Sequence, residues 1–155
     1  MSSHVVVAAK PTPEEQNTLD NTSIRNNADI EKQWAIQAFK YADVYQRLLE
    51  SMDPAKLRLS KIDDEIYSKF RSSFPDLDVN IIDENKMKSE EEKNKWRPLL
   101  LEFKEKTKDW DFGTLLRIDA SKGVSEQNTT LVTRIQFLCI EIARNKEGVN
   151  KKQQS

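Results

Sequence analysis

The sequence predicts a mainly α domain, a small orthogonal helical bundle with room for one short strand pair. Three observations carry this expectation. Apolar residues recur at three- and four-residue spacing in a long segment near residue 40 and again near the C-terminus. Helix-opening signals stand at Ser60 and Ser89. Extended structure has only two short places to form, Val79 to Ile82 and Thr114 to Asp119.

The first helix is expected from Asp29 to Met52, where Ile30, Trp34, Ala38, Tyr41, Tyr45, Leu48 and Met52 share one face. Asp53-Pro54 ends it, because proline disfavours helix in the residue before it. A second helix is expected with Ser60 as N-cap, Asp63, Asp64 and Glu65 in its first turn, and Ile62, Ile66 and Phe70 on its buried side. Ser89 with Glu92 matches a capping box and opens a third, carrying Trp96, Leu99, Leu100 and Phe103. Pro98 lies inside that pattern and predicts a kink or a restart. Gly113 marks a turn before Thr114 to Asp119, a segment left open between strand and helix. Asn128 to Thr130 reads as the cap of the last helix and Gly148 as its stop.

That last helix is the most informative stretch. At about 100° per residue, Leu131, Ile135, Leu138, Cys139 and Ile142 fall in one arc, and Arg134, Glu141 and Asn145 gather in a narrow polar one. Phe137 and Ile140 lie on a side that an ordinary surface helix gives to water. The helix is therefore either buried on more than one side or offers apolar surface to a partner.

The organisation expected is a flexible N-terminal arm at 1–28, a single helical domain at 29–148, and a flexible C-terminal tail at 149–155. The 25 basic and 26 acidic side chains nearly cancel, so no net field draws in nucleic acid or an anionic membrane. One cysteine, Cys139, leaves no internal disulfide and suits a reducing cytosol; it reads as a packed core thiol. The Val5–Ala9 run is too short for a signal peptide, and a cytoplasmic, monomeric protein is expected.

Few residues here suggest chemistry. The only histidine, His4, lies in the arm, away from any partner for a triad or a zinc site. Three glycines make neither a dinucleotide fingerprint nor a P-loop. Asp76-x-Asp78-x-Asn80 starts like a calcium loop but has Ile81 where glycine belongs and Met87 where the bidentate glutamate belongs. No catalytic residue, metal or cofactor is expected. Arg117, Asp119, Arg134, Glu141 and Arg144 each stand inside otherwise apolar segments, where an unpaired charge is costly. They read either as structural ion pairs between 114–119 and the last helix, or as a recognition surface meeting a partner's carboxylates or backbone. Phe137 and Ile140 join the second reading, as do Trp110 and Phe112, which flank a turn and suit an exposed anchor. The candidate partner-binding set is these nine residues.

In order along roughly 30–150 come Trp34-Ala35 with Tyr45 and Leu48, Asp53-Pro54, and Lys61-Ile62-Asp63-Asp64-Glu65-Ile66-Tyr67 followed by Phe70. Lys95-Trp96-Arg97-Pro98, Gly113 to Asp119, Arg134-Ile135-Gln136-Phe137 and Glu141 to Asn145 with Gly148 complete the series. In these blocks the chain resembles the small eukaryotic polysaccharide biosynthesis domain-containing protein 1 family. The resemblance implies a mainly α cytosolic protein that acts as a dedicated co-translational chaperone of translation elongation factor 1-alpha. It would engage the nascent GTP-binding domain and be recruited with the nascent polypeptide-associated complex at the ribosome. Neither direct nucleic-acid binding nor membrane binding is expected. Two other readings stay open: a small enzyme or accessory subunit of polysaccharide biosynthesis using Asp109, Asp111 and Asp119, and a cytosolic adaptor unrelated to translation.

Overall fold

A computed structural model of the chain describes residues 27–153, with side-chain environments from Glu31 to Lys151. The arm expected at 1–28 lies outside the described residues except for Asn27 and Ala28, which already belong to the first helix. As expected, the described chain is mainly helical with one two-stranded antiparallel sheet. Among the described residues no helix is long and apolar enough to cross a membrane.

Helix α1, Asn27–Ser51, buries Ala38, Tyr45 and Leu49 and leaves Trp34 and Tyr41 half-buried. Its stop is local chemistry. Asp53 accepts a hydrogen bond from Ala55 N at 3.1 Å and caps a 3-10 turn at Pro54–Lys56. Helix α2, Asp63–Ser73, begins later than Ser60 predicts, and Ile62 before it offers no side-chain cap. Asp63 reaches back instead, accepting from Leu59 N (2.8 Å), Ser60 N (2.7 Å) and Ser60 Oγ (2.6 Å). Leu59 and Ser60 are buried, and their N–H groups must find an acceptor within the protein.

The chain then passes Asp78, which accepts from Asn80 N at 2.8 Å and shapes a turn. Ile81 bridges Asp119, and the flanking bonds run Ile82 N to Ile118 O and Ala120 N to Asn80 O, each 2.9 Å. After the short α3 (Glu84–Met87), helix α4 spans Glu90–Phe103 with Ser89 accepting from Glu92 N at 3.2 Å. The helix runs on through Pro98. Proline there is exposed, so the carbonyl that loses its donor lies on the water side. On the buried side Trp96 packs against Phe70 and Phe74 of the α2 end, with ring centroids 5.7 and 4.5 Å away.

Strand β1, Gly113–Arg117, pairs with β2, Thr129–Thr133, in the register Leu115↔Leu131. The segment 114–119 is thus extended over its first residues. The cap expected at Asn128–Thr130 is corrected here. Thr129 to Thr133 alternates in burial as a strand does, and helix α5 starts only at Arg134. Thr133 caps it, and Gln136 completes a reciprocal capping box. Asn128 holds the 119–125 loop instead, accepting from Asp119 N (2.8 Å) and donating to Gly123 O (2.9 Å).

Helix α5, Arg134–Lys146, is the centre of the molecule: every residue from Phe137 to Asn145 is buried. The alternative left open for Phe137 and Ile140 is resolved as burial on several sides, at 5% and 0% exposure. Cys139 is a core thiol, pushed well above its usual pKa by burial. Gly148, at φ 79°, lets Val149 N bond Arg144 O at 2.9 Å and closes the helix end. The tail expected from residue 149 is partly corrected, since Asn150 is wholly buried and starts a 3-10 turn, Asn150–Gln153. Gly148→Ala forces a Cβ into a left-handed conformation that disfavours it by about 1–2 kcal/mol. The melting temperature followed by circular dichroism is expected to fall by about 2–8 °C; an unchanged melt would remove that role for Gly148.

Candidate functional site

The nine candidate residues separate into two groups. Arg117, Phe137, Ile140, Glu141 and Arg144 are inside, each at most 5% exposed. They are corrected from a surface to a core, because α2, the β1–β2 hairpin and the turns at Pro54–Lys56 and Asn150–Gln153 close over α5. The three charged ones form the structural ion pairs of the first reading.

Glu141 stands at the centre of that cluster. Its Oε2 lies 2.9 Å from Arg144 Nη1 and 3.6 Å from Arg117 Nη2. Its Oε1 accepts from Tyr45 Oη (3.2 Å) and Asn150 Nδ2 (2.9 Å). Arg144 also donates from Nε to Val79 O (2.7 Å) and from Nη2 to Arg117 O (2.9 Å). Arg117 donates to Ala120 O (2.8 Å) and Asn150 Oδ1 (2.7 Å). Asn145 closes the circuit, donating to Tyr45 Oη (3.2 Å) and accepting from Asn150 Nδ2 (2.6 Å). Burial alone would raise the Glu141 pKa, but Arg144 and Arg117 outweigh it and hold the carboxyl below its usual range. Tyr45 is pushed up by burial and by Glu141, and keeps its proton to donate.

The second group is accessible. Trp110, Phe112 and Arg134 are half-buried where a turn meets the start of α5. Trp110 O accepts from Ile135 N at 3.0 Å, and Asp109 O from Phe112 N at 3.1 Å. Asp109 adopts φ 57°, a left-handed conformation rare outside glycine. A Cβ at Gly113 would come within 3.1 Å of Leu131 Cδ1 and 3.4 Å of Trp34 Cζ2, so a leucine 41% exposed and an indole converge beside the same turn. Arg134 is the anomaly. It is a cation in the first turn of a helix, where the dipole disfavours it, and its Nε is closed to water without a hydrogen-bond partner. Burial lowers its pKa, and Asp109 only partly opposes this.

Asp119, the ninth residue, accepts from Ser121 N (2.9 Å) and Ser121 Oγ (2.6 Å), which holds its carboxyl below the usual range and makes it a turn former. Asp111 and Asp119 flank opposite ends of the five-residue β1. At ~3.3 Å per residue the ends of that strand stand ~13 Å apart. This placement at opposite strand ends gives the carboxylates of the enzyme reading no shared site of the kind such chemistry needs. Among the described residues no three His, Cys, Asp or Glu side chains group closely enough to hold a metal ion.

These features define a small, mainly helical domain pinned by a buried ion network, with one aromatic and cationic face outside it. Comparison with known proteins places it further. The model of the PBDC1 protein family matches residues 30–155, and the chain belongs to that family. It is 51% identical to Protein PBDC1 of Mus musculus over 83% of this chain and 65% of the relative, and 48% identical to the Homo sapiens protein over 86% and 58%. The chain thus spans less than two thirds of the length of either mammalian relative. A solution NMR structure of a Saccharomyces cerevisiae protein, 45% identical, superposes with a TM-score of 0.73 over 81% of this chain and 89% of that one.

Sequence reasoning missed Asn150 and Asn128, whose polar surroundings resemble tail and cap. It also set Trp34 on the shared face of the first helix and Leu131 in the apolar arc of the last, where the structure leaves them half-buried and exposed. Removing the central carboxylate tests the network. Glu141→Gln strands two buried guanidiniums, a class of change that costs about 3–5 kcal/mol. The melting temperature is expected to drop on the order of 10 °C. Because the folded pKa of Glu141 is depressed, its contribution is present above the unfolded value of about 4.3 and is lost as pH falls through the folded value. Wild-type stability is thus expected to decline below about pH 4.3, and the variant to show a shallower decline in denaturant titrations; identical slopes would contradict this role.

Proposed function

We propose that the protein is a non-enzymatic, cytoplasmic chaperone that holds the GTP-binding domain of translation elongation factor 1-alpha as it emerges from the ribosome. Recruitment alongside the nascent polypeptide-associated complex is part of the same reading. The family resemblance suggests the client; the face around Arg134 supports the mode of action. A guanidinium whose Nε lacks a partner is a donor that a client's carbonyl or carboxylate would satisfy after a small turn of the side chain. Trp110, Phe112 and the neighbouring Leu131 supply the apolar area that an incompletely folded domain needs, and aromatic residues with arginine are the usual anchors of such contacts. A chaperone must bind the unfinished state better than the finished one, so the contact must be broken as the client buries its own core.

The test is recovery of ribosome-bound nascent elongation factor with the tagged chain. Arg134→Glu and, separately, Phe112→Ala are expected to cut recovery at least about tenfold, which corresponds to about 1.4 kcal/mol. Both should leave the circular dichroism spectrum unchanged. Normal recovery by both folded variants would exclude this face; absence of the nascent factor from the wild-type sample would exclude the client.

A further inference from the structure

The outer edge of β2 is open. One bond sets the phase of the β1–β2 ladder: Ile118 N donates to Asn128 O at 2.8 Å, one step beyond the Arg117↔Thr129 pair. Bonding between the strands therefore falls on Thr130 and Val132, opposite Leu116 and Thr114. The main-chain groups of Thr129, Leu131 and Thr133 point away from β1. Thr133 N is taken by Gln136 Oε1 at 3.0 Å. Among the described residues the N–H and C=O groups of Thr129 and Leu131 have no hydrogen-bond partner.

The outer side of β1 is covered. Arg144 Nη2 donates to Arg117 O at 2.9 Å, and the Ile81–Asp119 bridge continues the cover with Ile82 N on Ile118 O. β2 lacks this and also lacks the usual guards of a strand edge. Residues Thr129 to Thr133 include no proline, glycine or charge, and all favour extended structure or fit it.

A gap of about 150 Å³ with a largely apolar wall runs beside this edge. It touches Thr130, Leu131 and Val132 in succession, although their side chains alternate between the two faces. The gap therefore follows the edge and not one face of the sheet. Glu84, Met87, Lys88 and Lys93 form its far side. Leu131, 41% exposed, and the half-buried Met87 give it apolar contacts.

The main chain selects the occupant. Two outward N–H and C=O pairs, roughly 7 Å apart on a true strand, match the repeat of another extended backbone. A helix has spent these groups internally along its length, and a small anion would leave the carbonyls unanswered. Beside Leu131, apolar and β-branched side chains pack best.

We propose that the outer edge of β2 docks an extended, apolar segment of an unfinished polypeptide, joined by main-chain hydrogen bonds to Thr129 and Leu131. Leu131 also borders the Trp110–Arg134 face, so this proposal deepens that reading and rests on it for the partner being an unfinished chain. The probe is a fluorescein-labelled peptide of alternating valine and threonine with Ser-Gly ends, titrated with the full chain by anisotropy. Binding is expected with little dependence on salt. N-methylation of two adjacent central residues removes a donor from each peptide edge and is expected to weaken binding at least about tenfold. In amide hydrogen exchange followed by NMR, the probe is expected to slow the Thr129 and Leu131 N–H groups, which exchange faster than those of Thr130 and Val132 in the free chain.

Leu131→Pro removes an outward donor without touching a β1 bond and is expected to lose at least about tenfold in affinity. Should it misfold, Leu131→Lys, which sets a charge on the edge, takes its place with the same expected loss. Equal affinity for plain and N-methylated probes, strong weakening by salt, or no binding by wild type overturns the proposal. Arg134→Glu changes no group of the edge and is expected to keep probe binding. Absence of the nascent factor from the pull-down would thus remove the client, while retained probe binding supports the edge.

Discussion

One carboxylate held between two guanidiniums organises this molecule. Glu141 alone would be an untenable charge in the middle of a buried helix. Arg144, three residues on, and Arg117, from β1, make it tolerable. The same contacts bind α5 to the sheet, to the Val79 segment, to α1 through Tyr45 and to the C-terminal turn through Asn150. Two cations face one anion, and the imbalance is absorbed by main-chain carbonyls: Val79, Arg117 and Ile118 for Arg144, Ala120 and Lys122 for Arg117.

Those carbonyls explain why arginines are needed. A two-stranded sheet with a single bridge to Ile81 leaves main-chain acceptors along its edge that no third strand covers. The guanidinium of Arg144, with several donors in a fixed plane, stands in for the missing strand. A buried ion pair is weak evidence of extra stability compared with an apolar filling. Here its purpose is geometric, because only a many-armed donor reaches Val79, Glu141 and Arg117 together.

Much of this was legible in the chain. The polar arc of Glu141 and Asn145 within an apolar helix signalled charges that must be paired, and Asp53-Pro54, Ser89 and Gly148 mark their boundaries correctly. What failed did so for identifiable reasons. Leu131 fits the helical spacing of α5 as well as it fits a strand, so periodicity placed the helix start too early; Thr133 with Gln136 was the decisive pair. Phe137 and Ile140 were ambiguous because helical angle says which residues share a face, not how many faces are covered. Asn150 sits in a run whose composition resembles a tail, and only its distant partners Arg117 and Glu141 distinguish it.

Two arginines on one helix illustrate how a charge in apolar surroundings is to be judged. Arg144 lies in the last turn of α5, where a cation suits the dipole, and its Nε, Nη1 and Nη2 all have acceptors. It is wholly accounted for by the fold. Arg134 opens the same helix, where a cation opposes the dipole, with an Nε that is neither hydrated nor bonded and a neighbour, Asp109, in a left-handed conformation. Two local rules are broken in the first turn of this helix, and the charge of Asp109 offsets the burial of Arg134 only in part. Sequences that fold well are locally consistent, and places where that consistency fails are where function is expected to have overridden it. The residue the fold explains least is therefore the better guide to what the fold is for.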